Sequence, residues 1–167
     1  MSDNVTAPNV RLREWREADA PAVLRAFQAP DLRLQAPWPV VTLKDASGWI
    51  ASWAGAGHAF AVLHDERVVG NVAVTKIDGH GNGSVSYWVV PEARGRGVAV
   101  AATRLVARWA FDERGLYRLE LGHRADNPAS CRVATKAGFL PEGIERGKLC
   151  YAGVRYDVER HARLATD

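Results

Sequence analysis

The chain has 167 residues, 47% of them hydrophobic and 25% charged, a globular composition that excludes a disordered scaffold and suits one domain with a single core. A net charge of +3 is too mild for a dedicated nucleic-acid binder, and two cysteines, Cys131 and Cys150, cannot form a disulfide framework. No apolar run reaches the roughly 18 residues of a membrane helix and Met1 to Asn9 lacks a leader's basic and apolar regions, so we expect one soluble, cytoplasmic domain over residues 1–167, core about 10 to 164, without nucleic-acid or membrane partner.

Val10 to Trp15 alternates apolar residues with arginines, a short strand. Asp19 stands as the N-cap of a helix that tolerates Pro21 in its first turn and puts Val23, Leu24 and Phe27 on one face. Pro37 and Pro39 keep Pro30 to Val41 out of regular structure. Thr42 opens the next helix, with Asp45 completing an imperfect capping box because Glu or Gln would reach back better; Trp49, Ile50 and Trp53 follow. His58 to His64 and Arg67 to Thr75 read as strands about a tight Asp65-Glu66 turn. A flexible Gly79 to Gly83 link leads to a strand from Ser84 to Val90 that Pro91 ends, with Val85, Tyr87 and Val89 on one face. Gly97 to Arg114 is the longest helical pattern, with Val98, Ala102, Leu105 and Trp109 on one stripe and Gly115 past its end. Tyr117 to Leu121 is a strand, Asn127 to Ala137 a helix stopped by Gly138, and Phe139 to about Leu164 two final strands. The order β-α-α-β-β-β-α-β-α-β-β gives an α/β fold, a mixed sheet with helices on its faces.

The sharpest local feature is Val89-Val-Pro-Glu-Ala-Arg-Gly-Arg-Gly-Val-Ala99. A strand ends, a loop carries Gly95 and Gly97, and a long helix begins at once. Free N–H groups and the positive dipole end at that helix start suit an anion such as a pyrophosphate. The glycines let the main chain approach phosphate oxygens, and Arg94 and Arg96 add charge. A Walker loop is absent, and Val100 occupies the third fixed place of a dinucleotide fingerprint. The third form, Arg/Gln-x-x-Gly-x-Gly/Ala, fits Arg94 to Ala99 at every fixed position.

That loop is similar to the coenzyme A pyrophosphate signature of the GNAT superfamily of acyl-CoA-dependent N-acetyltransferases. A second match follows in register: Asn127-Pro-Ala-Ser130, then Lys136-Ala-Gly-Phe139-Leu-Pro-Glu-Gly143. It resembles the Asn-x-x-Ser…GF…EG pattern of the branch that acetylates ribosomal-protein N-termini at serine or alanine. Pro37 to Ala46 with Trp49-Ile50 resembles that branch's acceptor-side segment, and Gly153-Val-Arg-Tyr-Asp157 its penultimate stretch. The resemblance spans roughly Val10 to Leu164.

The resemblance implies a GNAT-like fold, acetyl-CoA as cosubstrate, and direct attack of a primary amine on the thioester. Trp88, Val89 and Val90 stand where relatives pair a splayed strand with the pantetheine arm. Arg94, Gly95, Arg96, Gly97, Val98 and Ala99 would hold the diphosphate, and Asn127 would hydrogen-bond the arm. Many relatives place a tyrosine seven residues after the asparagine; here that position is Ala134. Ser130 matches the branch serine that faces the sulfur and is the candidate thiol partner. The usual strand glutamate is missing from residues 84 to 90, and the branch's late glutamate falls at Leu149. The base is therefore open: Glu120 or His123 acting through water, or water alone with a partly neutral α-amine. The resemblance implies a protein or peptide N-terminus of the ribosomal type as acceptor, and relatives of this branch often pair as homodimers.

Blander roles stand beside these. Gly95 and Gly97 make a tight turn, Asn127 is an N-cap, Ser130 bonds back to a carbonyl, and Cys131 is an inert thiol. The five histidines, His58, His64, His80, His123 and His161, lack the close spacing of a metal helix or knuckle, and no metal site is expected. Trp49, Trp53 and Trp109 are core candidates, while Trp38, between two prolines, is a candidate for the acceptor cleft. Arginine outnumbering lysine by 18 to 4 hints at a GC-rich bacterial genome. The rival readings are a non-catalytic CoA-binding regulatory module, an acetyltransferase of a small amine such as an antibiotic or polyamine, and a dinucleotide-binding protein.

Overall fold

Strand alternation and capping chemistry set the elements of the computed structural model, which describes residues 9–167. Met1 to Pro8, part of the stretch read above for a leader, lie outside the described residues. The strands are β1 (Val10–Glu14), β2 (Gly57–His64), β3 (Arg67–Thr75), β4 (Asn82–Val89), β5 (Arg118–Arg124), β6 (Leu140–Tyr151) and β7 (Val154–Leu164). The helices are α1 (Ala20–Ala26), α2 (Leu43–Ala51), α3 (Val98–Asp112) and α4 (Pro128–Lys136). Together the strands form one mixed sheet in the order β1-β2-β3-β4-β5-β7-β6, all neighbours antiparallel except β4 and β5.

The parallel pair is short. β4 and β5 meet only at Asn82–Arg118, Gly83–Leu119 and Ser84–Glu120. Beyond those positions β4 stays on β3 as far as Val89, and β5 stays on β7 as far as Arg124. The sheet therefore splays between them, and the β4 edge from Val85 to Val89 keeps backbone groups turned to the gap. Helix α3 is the crossover joining the two strands, so its N-terminus opens at the mouth of that gap.

Pleating assigns the helices to faces. Phe60 pairs with Val72, and Val72 with Tyr87, so the three share one face. Trp109 of α3 packs edge-on to Phe60 at 4.9 Å, and α4 meets Tyr87 through Ser130, so α3 and α4 cover that face. Asn71 and Trp88 look the other way, toward α1 and α2. There Phe27, Trp49 and Trp15 form an aromatic cluster with Trp88, with centroids at 5.3, 5.9 and 6.3 Å from the Trp88 ring. Among the described residues no helix is long and apolar enough to cross a membrane.

Several local expectations shift. Asp19 occupies the N-cap position of α1 but makes no side-chain cap. Its carboxylate is taken instead by the Arg13 guanidinium, at 2.7 and 2.8 Å, and by the Arg16 N–H. The Thr42–Asp45 box, by contrast, closes in full: Thr42 Oγ1 accepts from Asp45 N–H at 3.1 Å and Asp45 Oδ2 from Thr42 N–H at 2.8 Å. The deepest stripe of α3 is Val98, Ala102, Val106 and Ala110, while Leu105 and Trp109 are only half-buried. Trp53 is half-buried too; Trp49 lies in the core as expected, and Trp88, read as a cofactor-side residue, is buried there with it. The Asp65-Glu66 turn holds φ of +49° and +64°, the geometry of a two-residue hairpin.

Candidate active site

After Val89 the chain makes a single 3-10 turn at Pro91–Ala93, then Gly95 and Gly97 with φ of +74° and +75° lead into α3. An L side chain pays for that left-handed backbone, and a Cβ built on either glycine meets nothing within 4 Å. The space in front of both residues is thus open, as a phosphate needs. The first helical bond of α3 runs from Ala101 N–H to the Gly97 carbonyl at 3.0 Å. The N–H groups of Val98, Ala99 and Val100 have no intrahelical acceptor, and their dipole end faces the same opening.

Arg94 behaves differently from a free phosphate ligand. Its Nε donates to the Val89 carbonyl at 2.9 Å, and its guanidinium pairs with Asp31 at 2.7 Å. It braces the loop to the end of β4 and to the segment after α1, and Asp31 offsets its charge. Arg96 is exposed and lies off the cavity lining, and Val90 is buried with its N–H on the Val69 carbonyl at 2.9 Å. Positive charge at the cavity comes also from Arg132 and Lys136, one turn apart on α4.

Two cavities meet here. The first, about 490 Å³, brings together Trp88, Val89, Arg94, Gly95, Gly97, Val98, Ala99, Asn127 and Ser130. The second, about 380 Å³, is walled by Trp38, Trp49 and Trp53 with Asn71 and Ser86. Gln35, Tyr87 and Trp88 line both. The volumes are those of ordinary small-ligand sites. Trp38, the candidate for the acceptor cleft, stands at the second cavity.

At the junction, the Tyr87 hydroxyl donates to Ser130 Oγ at 3.2 Å. Burial pushes the phenol above its ordinary value, with the Ser130 hydrogen bond pulling weakly the other way. Asn127 Oδ1 accepts from the Ser130 N–H at 3.1 Å, so Asn127 caps α4 and fixes the turn that carries Ser130. The family pattern puts a tyrosine where this chain has Ala134. A phenol from β4, that of Tyr87, stands beside Ser130, and only strand alternation could have hinted at it.

Neither candidate base lines either of these two cavities. Glu120 is held by Arg118 at 3.1 Å and by Arg160. His123 is 7% exposed and faces His161. Among the described residues Asp31 is the one carboxylate along either lining, and Arg94 holds it.

Comparison with known proteins fits this geometry. Residues 9–140 match the family model described as an acetyltransferase (GNAT) domain. The Bacillus subtilis protein named "Probable N-acetyltransferase YjcK" is 35% identical over 62% of this chain and 58% of its own length. The Escherichia coli ribosomal-protein-serine acetyltransferase is 23% identical over 66% and 62%. The match therefore spans less than two thirds of either relative. In fold, Mycobacterium smegmatis RimJ, solved with CoA-disulfide, superposes with a TM-score of 0.84 at 24% identity, covering 94% of this chain and 82% of that one. Loop, splayed strands and family match agree, and the chain belongs to the GNAT acetyltransferase family.

Proposed function

We propose that the chain is an N-acetyltransferase that moves an acetyl group from acetyl-CoA to a primary amine by direct attack on the thioester, and that its acceptor is the N-terminus of a protein or peptide of the ribosomal type. The observation that carries the reading is the Tyr87–Ser130 hydrogen bond where the two cavities meet. The N–H groups at the start of α3 would hold the diphosphate, with Arg132 and Lys136 on the opposite wall adding charge. The free edge of β4 beyond Ser84 would hydrogen-bond the pantetheine arm in the manner of a strand. The half-buried Tyr87 phenol, raised above its ordinary value, stays protonated at neutral pH, so Tyr87 and Ser130 can pass a hydrogen bond to the departing sulfur.

The second cavity supports the choice of acceptor. Its walls are aromatic and neutral, with amide and hydroxyl groups from Gln35, Asn71 and Ser86 and no carboxylate. A polyamine would bring several positive charges with no carboxylate on this wall to pair with them, whereas one α-amine with a small uncharged side chain fits. Such an amine, with a pKa of about 7.7–8.0, is partly neutral at physiological pH, so water can take its proton without a fixed base. The name of the Escherichia coli relative, a ribosomal-protein-serine acetyltransferase, supports the ribosomal type.

Thiol release from acetyl-CoA tests this. Peptides beginning with free serine or alanine should release CoA, their N-acetylated forms should not, and spermidine should be far slower. Acetyl-CoA binding without thiol release on any amine would favour a regulatory CoA-binding module instead.

A further inference from the structure

On the β5–β7 pair, His123 lies opposite Glu159 and Leu121 opposite His161. His123, Glu159 and His161 therefore share one face, and Cys131 of α4 meets them there. Ligand-type atoms from all four, the two imidazoles, the thiol and a carboxylate oxygen, lie within 4.8 Å of one another. Both histidines are buried, His161 to 1% exposure, while Cys131 and Glu159 are half-buried.

The protons on the two rings are fixed by their neighbours. His123 Nδ1 is 2.7 Å from the Arg124 carbonyl, and His161 Nδ1 is 3.1 Å from the Phe139 carbonyl. A carbonyl only accepts, so each Nδ1 carries the hydrogen and each Nε2 is left with a lone pair. The two Nε2 atoms are 3.1 Å apart, with Glu159 Oε2 3.6 Å from that of His123 and Glu159 Oε1 3.6 Å from that of His161. Two lone pairs and a carboxylate so close repel unless a proton or a metal ion stands among them.

We propose that His123, Cys131, Glu159 and His161 form a metal site whose natural occupant is Zn²⁺. A tetrahedral zinc with bonds of about 2.0–2.3 Å holds its donor atoms about 3.3–3.8 Å apart. The nitrogen–nitrogen and nitrogen–oxygen separations are already close to that, and the widest pair need close by only about 1 Å. Nδ1–H groups donated to backbone carbonyls are the arrangement that orients imidazoles for Nε2 ligation. Two imidazoles, a carboxylate and a thiolate also suit zinc better than magnesium or calcium. Binding transfers the Cys131 thiol proton to solvent and forms the Zn–S bond. Four protein ligands close the coordination shell, so the ion is a clamp rather than a catalyst. It ties α4, at the residue next to Ser130, to β5 and β7.

The test uses the full, untagged chain, stripped with a chelator. Zn²⁺ titrated against a chromophoric competitor should bind at one equivalent and raise Tm. Co²⁺ should give the intense visible bands of a tetrahedral site and a thiolate-to-cobalt charge-transfer band. Cys131→Ser should abolish the charge-transfer band and weaken Zn²⁺ at least 10-fold, and Glu159→Gln should weaken it as well. His80→Asn, at an exposed histidine, should change nothing. The proposal is overturned if the wild-type chain binds no equivalent of either ion, if Co²⁺ shows no thiolate band, or if Cys131→Ser binds as the wild type does. These readouts need no acetyl-CoA and no acceptor, so they stand apart from the proposed activity.

Discussion

The Tyr87 hydroxyl on β4 donates to Ser130 Oγ on α4 across 3.2 Å, bridging the gap where β4 and β5 part. If this pair serves the departing sulfur, Tyr87→Phe and Ser130→Ala should each lower kcat by about 10- to 100-fold, roughly 1.4–2.8 kcal/mol of barrier. The Kd of acetyl-CoA should move by no more than about twofold, because the interaction matters chiefly as charge develops on sulfur. The double variant should cost little more than the worse single one, since the groups act as a unit. Steady-state kinetics and calorimetry on the same preparations separate the two parameters.

The open backbone in front of Gly97 makes a graded series. Gly97→Ala should cost about 1–2 kcal/mol of stability through its φ of +75°, and it should weaken acetyl-CoA binding by setting a methyl where phosphate oxygens belong. Gly97→Glu should abolish binding, because a carboxylate would compete for the same N–H groups. Thermal melts report the first effect and calorimetry the second. Equal affinities across the series would place the ligand elsewhere.

Among the described residues the two linings hold no histidine and no carboxylate besides the paired Asp31, which sets the expected pH dependence. With a peptide acceptor, kcat/KM should rise with pH and level off above the amine's own pKa of about 8. An acceptor with a less basic amine should shift the inflection downward by the same amount. A fixed inflection near 6.5, independent of acceptor, would reveal a histidine base and contradict the reading.

Asp19 predicts a stability effect remote from the site. Its hydrogen bonds from Arg13, helped by the Arg16 N–H, hold its carboxyl below the usual carboxylate range against the opposing pull of burial. A depressed folded-state value means the stabilisation is fully present above the unfolded value of about 3.9 and is lost as pH falls toward the folded one. Asp19→Asn should therefore cost about 1–3 kcal/mol at pH 7, and the gap between variant and wild type should narrow below about pH 4. Urea unfolding at the two pH values checks both parts.

Local chemistry is what the sequence made legible. Thr42 with Asp45, the Asp65-Glu66 turn, Pro91 after β4, and Gly97 before α3 each act over a few residues and can be read without knowing the fold. Long-range competition is what stayed hidden. Asp19 looks like a helix cap until Arg13 on β1 claims its carboxylate. The stripe on α3 turns toward Val106 and Ala110 because the helix packs across β1, β3 and β4 at once. Tyr87 reads as a strand-face residue, since alternation gives its face but not what lies across from it. His123 and His161 look scattered until β5 and β7 pair and set them side by side.

A structure of the chain with bound acetyl-CoA tests the central claim most directly. The diphosphate should lie against the N–H groups from Gly95 to Val100, the pantetheine arm along β4 beyond Ser84, and the thioester sulfur within hydrogen-bond reach of the Tyr87–Ser130 pair. A ligand bound outside the splay between β4 and β5, or with its sulfur far from Ser130, would contradict the account.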